Sequence, residues 1–268
     1  MTAKPHENEK SDEDRRKEDT ELSLSGHLGE LRRRVLKAAA AFVLAFLFSI
    51  LFIRAITGAL LQMGIDAGFS FVYLTPSEMV TACLKVGSVC GLCVSLPVLL
   101  YEAWRFIAPA LTSREKKAGC LGMLSGSFFF ALGMIFCWFA LLPLTLRFLC
   151  DFSTTEQVAS SVSVAQYVGF VNSLIMTCGL VFEIPVAAFV LSKLGLLRTE
   201  WMVKARKYAI LVIVILAAVI TPPDVFSQIF VTIPMLGLYE LSILVCRLVW
   251  KRSTLTGAEK SEQEEEAS

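Results

Sequence analysis

The chain has 268 residues, 55% of them hydrophobic and 18% charged, with a mean hydropathy of +0.64 and a formal net charge of +1. A soluble domain has about a quarter of its residues charged, whereas here much of the charge is crowded before Lys37 and after Lys251, leaving a middle too apolar to face water. This excludes an ordinary soluble domain, and charge segregated in this way carries no signal for nucleic acid. The chain reads as an integral membrane protein.

The first residues, "MTAKPHENEKSDEDRRKEDTE", are polar throughout. They contain neither an apolar core nor a small-residue cleavage site, so a secretory signal peptide is not expected. A disordered polar tail is expected over 1–22, a six-helix membrane domain over 23–252 and a disordered acidic tail over 253–268.

Around Glu30, in "HLGELRRR", the chain reads as a short amphipathic helix with Leu24, Leu28, Leu31 and Val35 on one stripe. Glu30 and Arg34 are spaced i, i+4 with the acid N-terminal, a pairing worth a few tenths of a kcal/mol. Glu30 therefore serves either its own arginines or guanidiniums brought by another molecule. Both readings stay open on the residues alone.

Spans of about 20 apolar residues are needed to cross about 30 Å of hydrocarbon. They are expected at 35–53, 80–106, 118–146 and 165–192, followed by two shorter runs at 208–223 and from 225 to about 239, the last extending as far as Cys246. Each of the two short runs has an uncharged stretch of about 15 residues, or about 22 Å of helix, so helices 5 and 6 are expected to be short. "TPPD" between them (Thr221, Pro222, Pro223, Asp224) is a tight turn, because proline fixes φ and removes an amide donor. Asp224 is either a solvated loop acid or the N-cap of the last helix. Pro97, Pro143, Pro185 and Pro234 lie within or at the ends of spans and suggest bent helices forming a curved wall.

Basic residues alternate along the chain. Arg32, Arg33, Arg34 and Lys37 precede span one. Arg105, Arg114, Lys116 and Lys117 join spans two and three, and Lys193 to Lys207 carries five more between spans four and five. The opposite connections are nearly bare. Positive residues stay on the cytoplasmic side, which places both termini there.

The fold class is all-α and polytopic. The eight cysteines read as small hydrophobes rather than a disulfide or metal framework; "CGLC" at 90–93 has redox spacing but lies inside a span.

Two more carboxylates stand out. Glu183, in "GLVFEIPV", sits at membrane depth, where an acid costs at least a few kcal/mol and faces a bundle interior or a wet cavity. Proton relay, substrate contact, a structural hydrogen bond and satisfaction of backbone groups freed by Pro185 are all open. Glu115, in "ALTSREKK", shares the cytoplasmic face with Glu30; it is either an exposed acid paired with Arg114 or Lys116 or a second acceptor for incoming guanidiniums. Enzymatic readings find little support. The histidines, His6 and His27, precede the first span, no aspartate lies within a span, and no phosphate loop or metal cluster is recognisable. No cofactor is expected.

The succession "HLGELRRR", "YEAWRFIAPALTSREK", "GLVFEIPV", "ARKYAI", "TPPDVFSQ" and "IPMLGLYE" resembles the TatC family, the polytopic receptor subunits of the twin-arginine protein translocase. The resemblance covers roughly Leu24 to Arg247. It implies a signal-peptide site at Glu30 and Glu115, supported by Leu31, Arg32, Arg34, Trp104 and Pro109, with Glu183 in an intramembrane polar groove. Thr221, Pro222, Pro223, Asp224 and Gln228 match the outer hairpin, where helices 5 and 6 are implied to meet single-span TatA- or TatB-type partners. It further implies twin-arginine signal peptides of folded cargo as ligands, a homo-oligomeric working complex, transport driven by the proton gradient, and the cytoplasmic membrane of a bacterium or archaeon as location. On this reading the arginines around Glu30 anchor its helix to anionic headgroups. Glu102 stands where the family commonly has glutamine, and Met79 where it commonly has phenylalanine. A different class remains as the alternative, a proton-coupled small-solute carrier with Glu183 as its relay, although no internal repeat of the kind such carriers show is visible.

Overall fold

The computed structural model describes the backbone of residues 6–108, 112–153, 161–221 and 225–266, and side chains from residue 29 to 250 within them, except 113–115, 118, 152 and 153. Among the described residues seven α-helices follow one another: α1 His6–Asp66, α2 Glu78–Ile107, α3 Ser113–Phe136, α4 Leu142–Ser153, α5 Val164–Lys193, α6 Thr199–Ile220 and α7 Val225–Glu266. A five-residue π-helical turn, Cys137–Leu141, joins α3 and α4 into one long rod. Pro143 explains the widening, since a proline ring clashes with the carbonyl four residues earlier and has no amide to donate. Pro97, Pro185 and Pro234 sit inside uninterrupted helices.

Among the described residues five helical stretches are long and apolar enough to cross a membrane: Gly29–Asp66, Glu78–Ile107, Gly119–Asp151, Val164–Lys193 and Val225–Trp250. The sixth helix, α6, carries Glu200, Lys204, Arg206 and Lys207 in its first turns, so its apolar part is short as expected. The last helix is short only in its uncharged part. Its 26 residues from Val225 to Trp250 continue through Glu240, whose Oε2 accepts from Arg206 Nη2 at 2.8 Å. The charge that interrupts one short span thus meets the charge that interrupts the other.

In hydrocarbon, helices gain little from burying apolar surface against each other, so close packing over small residues holds them together. Gly91 of α2 lies against the Phe46 backbone of α1, where a Cβ would fall 2.8 Å from its Cα. On α3, Gly122, Gly126 and Gly133 face Val190, Glu183 and Phe182 of α5, while Gly179 of α5 receives the ring of buried Phe130. These contacts place α1 beside α2 and α3 beside α5. The helix α6 leans chiefly on α7 and leaves Leu211, Ile215 and Val219 exposed.

The end opposite the basic one carries a clamp. Short strands β1 (Ser70–Val72) and β2 (Ser161–Ser163) pair in parallel, Phe71 opposite Val162, a small addition to an otherwise helical fold. Beneath them the buried carboxylate of Glu78 accepts from Leu74 N (2.7 Å), Thr75 N (3.4 Å), Ala165 N (2.8 Å) and the Ser163 hydroxyl. One carboxylate therefore ties the loop before α2 to the exposed amides at the start of α5. Tyr167 donates to Leu60 O at 2.8 Å and stacks edge-on against Phe71. Gly68, at φ +103°, lets this loop pass over buried Cys150, whose Sγ leaves no room for a Cβ. All eight cysteines are free thiols.

At the basic end the α5–α6 connection is pinned to α7. Leu197 O accepts from Trp250 Nε1 at 3.1 Å and Ser192 Oγ at 3.3 Å, and Tyr239 donates to Met202 O at 2.8 Å. The ring of Trp104 on α2 lies flat on Gly119 of α3, where a Cβ would fall 1.9 Å from Cζ3. Gly119→Ala must push the indole aside, whereas a Cβ at Gly58 meets nothing within 4 Å. We expect Gly119→Ala to lower stability by about 1–3 kcal/mol and Gly58→Ala to leave it unchanged or raise it by up to about 1 kcal/mol. Thermal unfolding in detergent checks both; equal effects would show that the helix contact at Gly119 is not tight.

Candidate recognition site

Antiparallel packing of α1 on α2 brings residue 34 to the level of residue 102. Here the basic end opens into a polar cleft of about 590 Å³ lined by Gly29, Glu30, Arg33, Arg34, Lys37 and Arg105. Glu30 accepts from Arg34 through Oε1, with Nε at 3.1 Å and Nη2 closer still. The i, i+4 pair of the sequence is therefore formed. It is not alone, because Arg34 Nη1 also donates to Glu102 Oε2 at 3.2 Å on the neighbouring helix.

Exposure grades across this trio. The side chain of Glu30 is 36% exposed, Arg34 13% and Glu102 9%. Glu30 lines the cleft, and Glu102 lies behind Arg34, outside its lining. Arg34 lies between them, so the expectation that it anchors α1 to headgroups is corrected: its guanidinium turns inward to two carboxylates. Arg32 and Leu31 do point outward, Leu31 being 40% exposed. Arg105 is held over Tyr101, its guanidinium carbon 6.0 Å from the ring centroid.

Glu102 is the residue of this site that sequence reasoning left without a role. The signal was present, a carboxylate inside an apolar run, but its partner lies 68 positions away and no local pattern pairs them. The cleft-lining Lys37 and Arg105 were likewise read as orientation signals rather than as site residues.

The other predicted residues fall as follows. Glu115 has its backbone at the start of α3, at the same end as Glu30, and its side chain lies outside the described residues. Pro109, Pro222, Pro223 and Asp224 also lie outside them. Trp104 is half-buried and sets the α2–α3 contact, two residues past Glu102. Thr221 is buried and donates back to Ala217 O at 2.9 Å at the end of α6, whereas Gln228 Nε2 of α7 donates across the hairpin to Val214 O of α6 at 3.1 Å.

Glu183 points into the helix bundle. Its Oε2 lies against Gly126, where a Cβ would be 2.9 Å away, with Leu100 beside it, and Oε1 is buried without a hydrogen-bond partner among the described residues. Oε1 therefore does not satisfy backbone freed by Pro185. Asn172, eleven residues earlier and so on nearly the same face of α5, has a buried Nδ2 that also lacks a partner among the described residues.

The arrangement can hold a cation: one partly exposed carboxylate acceptor, a guanidinium fork already seated on it, and further cations around the mouth. Among the described residues no group of three or more histidine, cysteine or acidic side chains is placed to hold a metal.

The family model described as "Sec-independent protein translocase protein (TatC)" matches residues 26–234. A TatC from Helicobacter pylori is 36% identical over 226 residues, covering 84% of this chain and 88% of that protein. TatCd of Bacillus subtilis is 35% identical over 233 residues, with 87% and 94% covered. A crystal structure described as the twin arginine translocase receptor TatC superposes with a TM-score of 0.76 at 34% identity, covering 83% of this chain and 99% of that one. With more than two thirds of its length matched in sequence and in structure, this multi-pass membrane chain belongs to the TatC family of Sec-independent protein translocase proteins.

Proposed function

We propose that this chain is the receptor and core subunit of a twin-arginine translocase, and that Glu30, with Glu115, receives the paired arginines of signal peptides on folded cargo. The observation that carries this reading is Glu30 itself. It is a half-exposed carboxylate at the mouth of a basic cleft, and the group seated on it is already a guanidinium. A planar fork on a carboxylate is the contact a guest arginine would make. Glu115, whose backbone lies at the start of α3 at the same end of the bundle, is the second acceptor on the same reading, with Leu31, Arg32, Arg34, Trp104 and Pro109 supporting it. The family membership favours this over the solute-carrier alternative.

The remaining parts of the proposal concern partners and place. TatA- or TatB-type single-span subunits dock on helices 5 and 6; support comes from the exposed apolar side chains Leu211, Ile215 and Val219 on a helix that leans chiefly on α7. On the same reading Thr221, Pro222, Pro223, Asp224 and Gln228 belong to that partner interface. The working complex is a homo-oligomer with respect to this chain, sits in the cytoplasmic membrane of a bacterium or archaeon with both charged tails (1–22 and 253–268) inside, and draws on the proton gradient. Glu183 serves transport rather than capture, since its carboxylate lies in the bundle at membrane depth, away from the cleft.

Two outcomes test this. A labelled twin-arginine signal peptide should bind the purified protein in nanodiscs, and Glu30→Gln/Glu115→Gln should weaken it at least tenfold, the loss of charge-assisted contacts worth about 1.5–3 kcal/mol each. Undiminished binding would move recognition elsewhere. Glu183→Ala should leave peptide affinity within about twofold while lowering export in a reconstituted vesicle assay; export at the wild-type rate would make Glu183 dispensable.

A further inference from the structure

Arg34 does something that signal-peptide capture does not by itself require. Its guanidinium is shared between two helices: Nε and Nη2 donate to Glu30 on α1, and Nη1 donates to Glu102 on α2. The more buried of its two acids, Glu102, is the one turned away from the cleft, and the more exposed, Glu30, is the one turned toward it.

We propose that Arg34 is a built-in stand-in for a guest arginine, and that Glu102 is the specificity-determining residue that keeps hold of it when a guest takes Glu30. The inference rests on the reading of Glu30 as the signal-peptide acceptor. In the unliganded protein Arg34 occupies Glu30. On binding, a guest guanidinium replaces it there, and Arg34 retains its bond to Glu102 alone.

Charge counting favours this exchange. Glu30, Glu102 and Arg34 sum to −1, so one added guanidinium brings the cluster to neutrality and leaves each charge with a partner. With glutamine at 102 the Glu30–Arg34 pair would already be neutral. Displacing Arg34 would then strand a mostly buried cation without a carboxylate, which is strongly unfavourable. The second acid makes the first one available.

Geometry decides which guests succeed. A guanidinium carries five donors in a planar fork and can replace both bonds that Glu30 loses, whereas an ammonium is a single point charge. Arg33, Lys37 and Arg105 around the cleft repel any cation that gains no more than one contact. An internal arginine that must be displaced therefore sets a threshold that a lysine guest fails to reach.

The test is a double-mutant cycle on twin-arginine peptide affinity in nanodiscs, with a twin-lysine peptide in parallel. Glu102→Gln should weaken twin-arginine binding roughly tenfold. Arg34→Gln should tighten it several-fold, and in that background Glu102→Gln should cost at most twofold. Arg34→Lys, whose ammonium settles on one acid and keeps the charge needed for folding, should also bind more tightly than the wild type. Thermal unfolding of each variant separates this from a structural role, under which affinity would follow stability. Equal losses from Glu102→Gln with and without Arg34, or no loss in either, would overturn the handover while a preserved preference for twin arginine leaves Glu30 as receptor. A wild type that binds both peptides alike would overturn the receptor reading and the handover together.

Discussion

A polar group inside hydrocarbon has no water to fall back on, and the described part of this protein is arranged around that constraint. Its buried or half-buried polar atoms are paired at the two edges of the membrane domain. Glu78 collects four donors at one edge; Arg34 is shared by two acids at the other. Tyr167 and Tyr239 each spend a hydroxyl on a helix-end carbonyl. Exceptions among the described residues include Glu183 Oε1 and Asn172 Nδ2 on one face of α5, Arg206 Nε on α6 and Thr232 Oγ1 on α7.

The same constraint gives the proposed recognition site its character. A carboxylate fully buried with a permanent partner binds nothing new, and one fully exposed gains little from any cation. Glu30 avoids both extremes: it is partly exposed, contested by neighbouring cations, and held by an arginine that has a second acid to return to. The glycine contact between α1 and α2 at Gly91 and the Trp104–Gly119 contact between α2 and α3 set the helices at the spacing this sharing needs. Close packing deep in the membrane thus fixes the geometry of a site at its surface.

The spans were legible because hydropathy and charge asymmetry are local signals, and the Glu30–Arg34 pair because it is a neighbour relation on one helix. What stayed hidden depends on distant partners. Glu102 read as an added charge near the end of a span, and its meaning comes from Arg34, 68 residues earlier. Glu78 drew no notice because its donors lie up to 87 residues away, beyond two intervening helices. Glu240 could be placed within the last span from sequence, but not its partner Arg206, 34 residues earlier across the hairpin. The family motifs pointed to Glu30 as a site but not to the fact that the chain carries its own occupant for it.

The central claim is that Glu30 exchanges one arginine for another, and the most direct measurement is the side-chain Nε–H resonance of Arg34. It is recorded by NMR on protein carrying labelled arginine in nanodiscs and assigned by its loss in Arg34→Lys. Arg34 Nε donates to Glu30 in the unliganded protein, so the account predicts that saturating twin-arginine peptide shifts this resonance while twin-lysine peptide leaves it in place. A resonance that stays fixed while twin-arginine peptide binds would show that Arg34 never leaves Glu30, and would contradict the account.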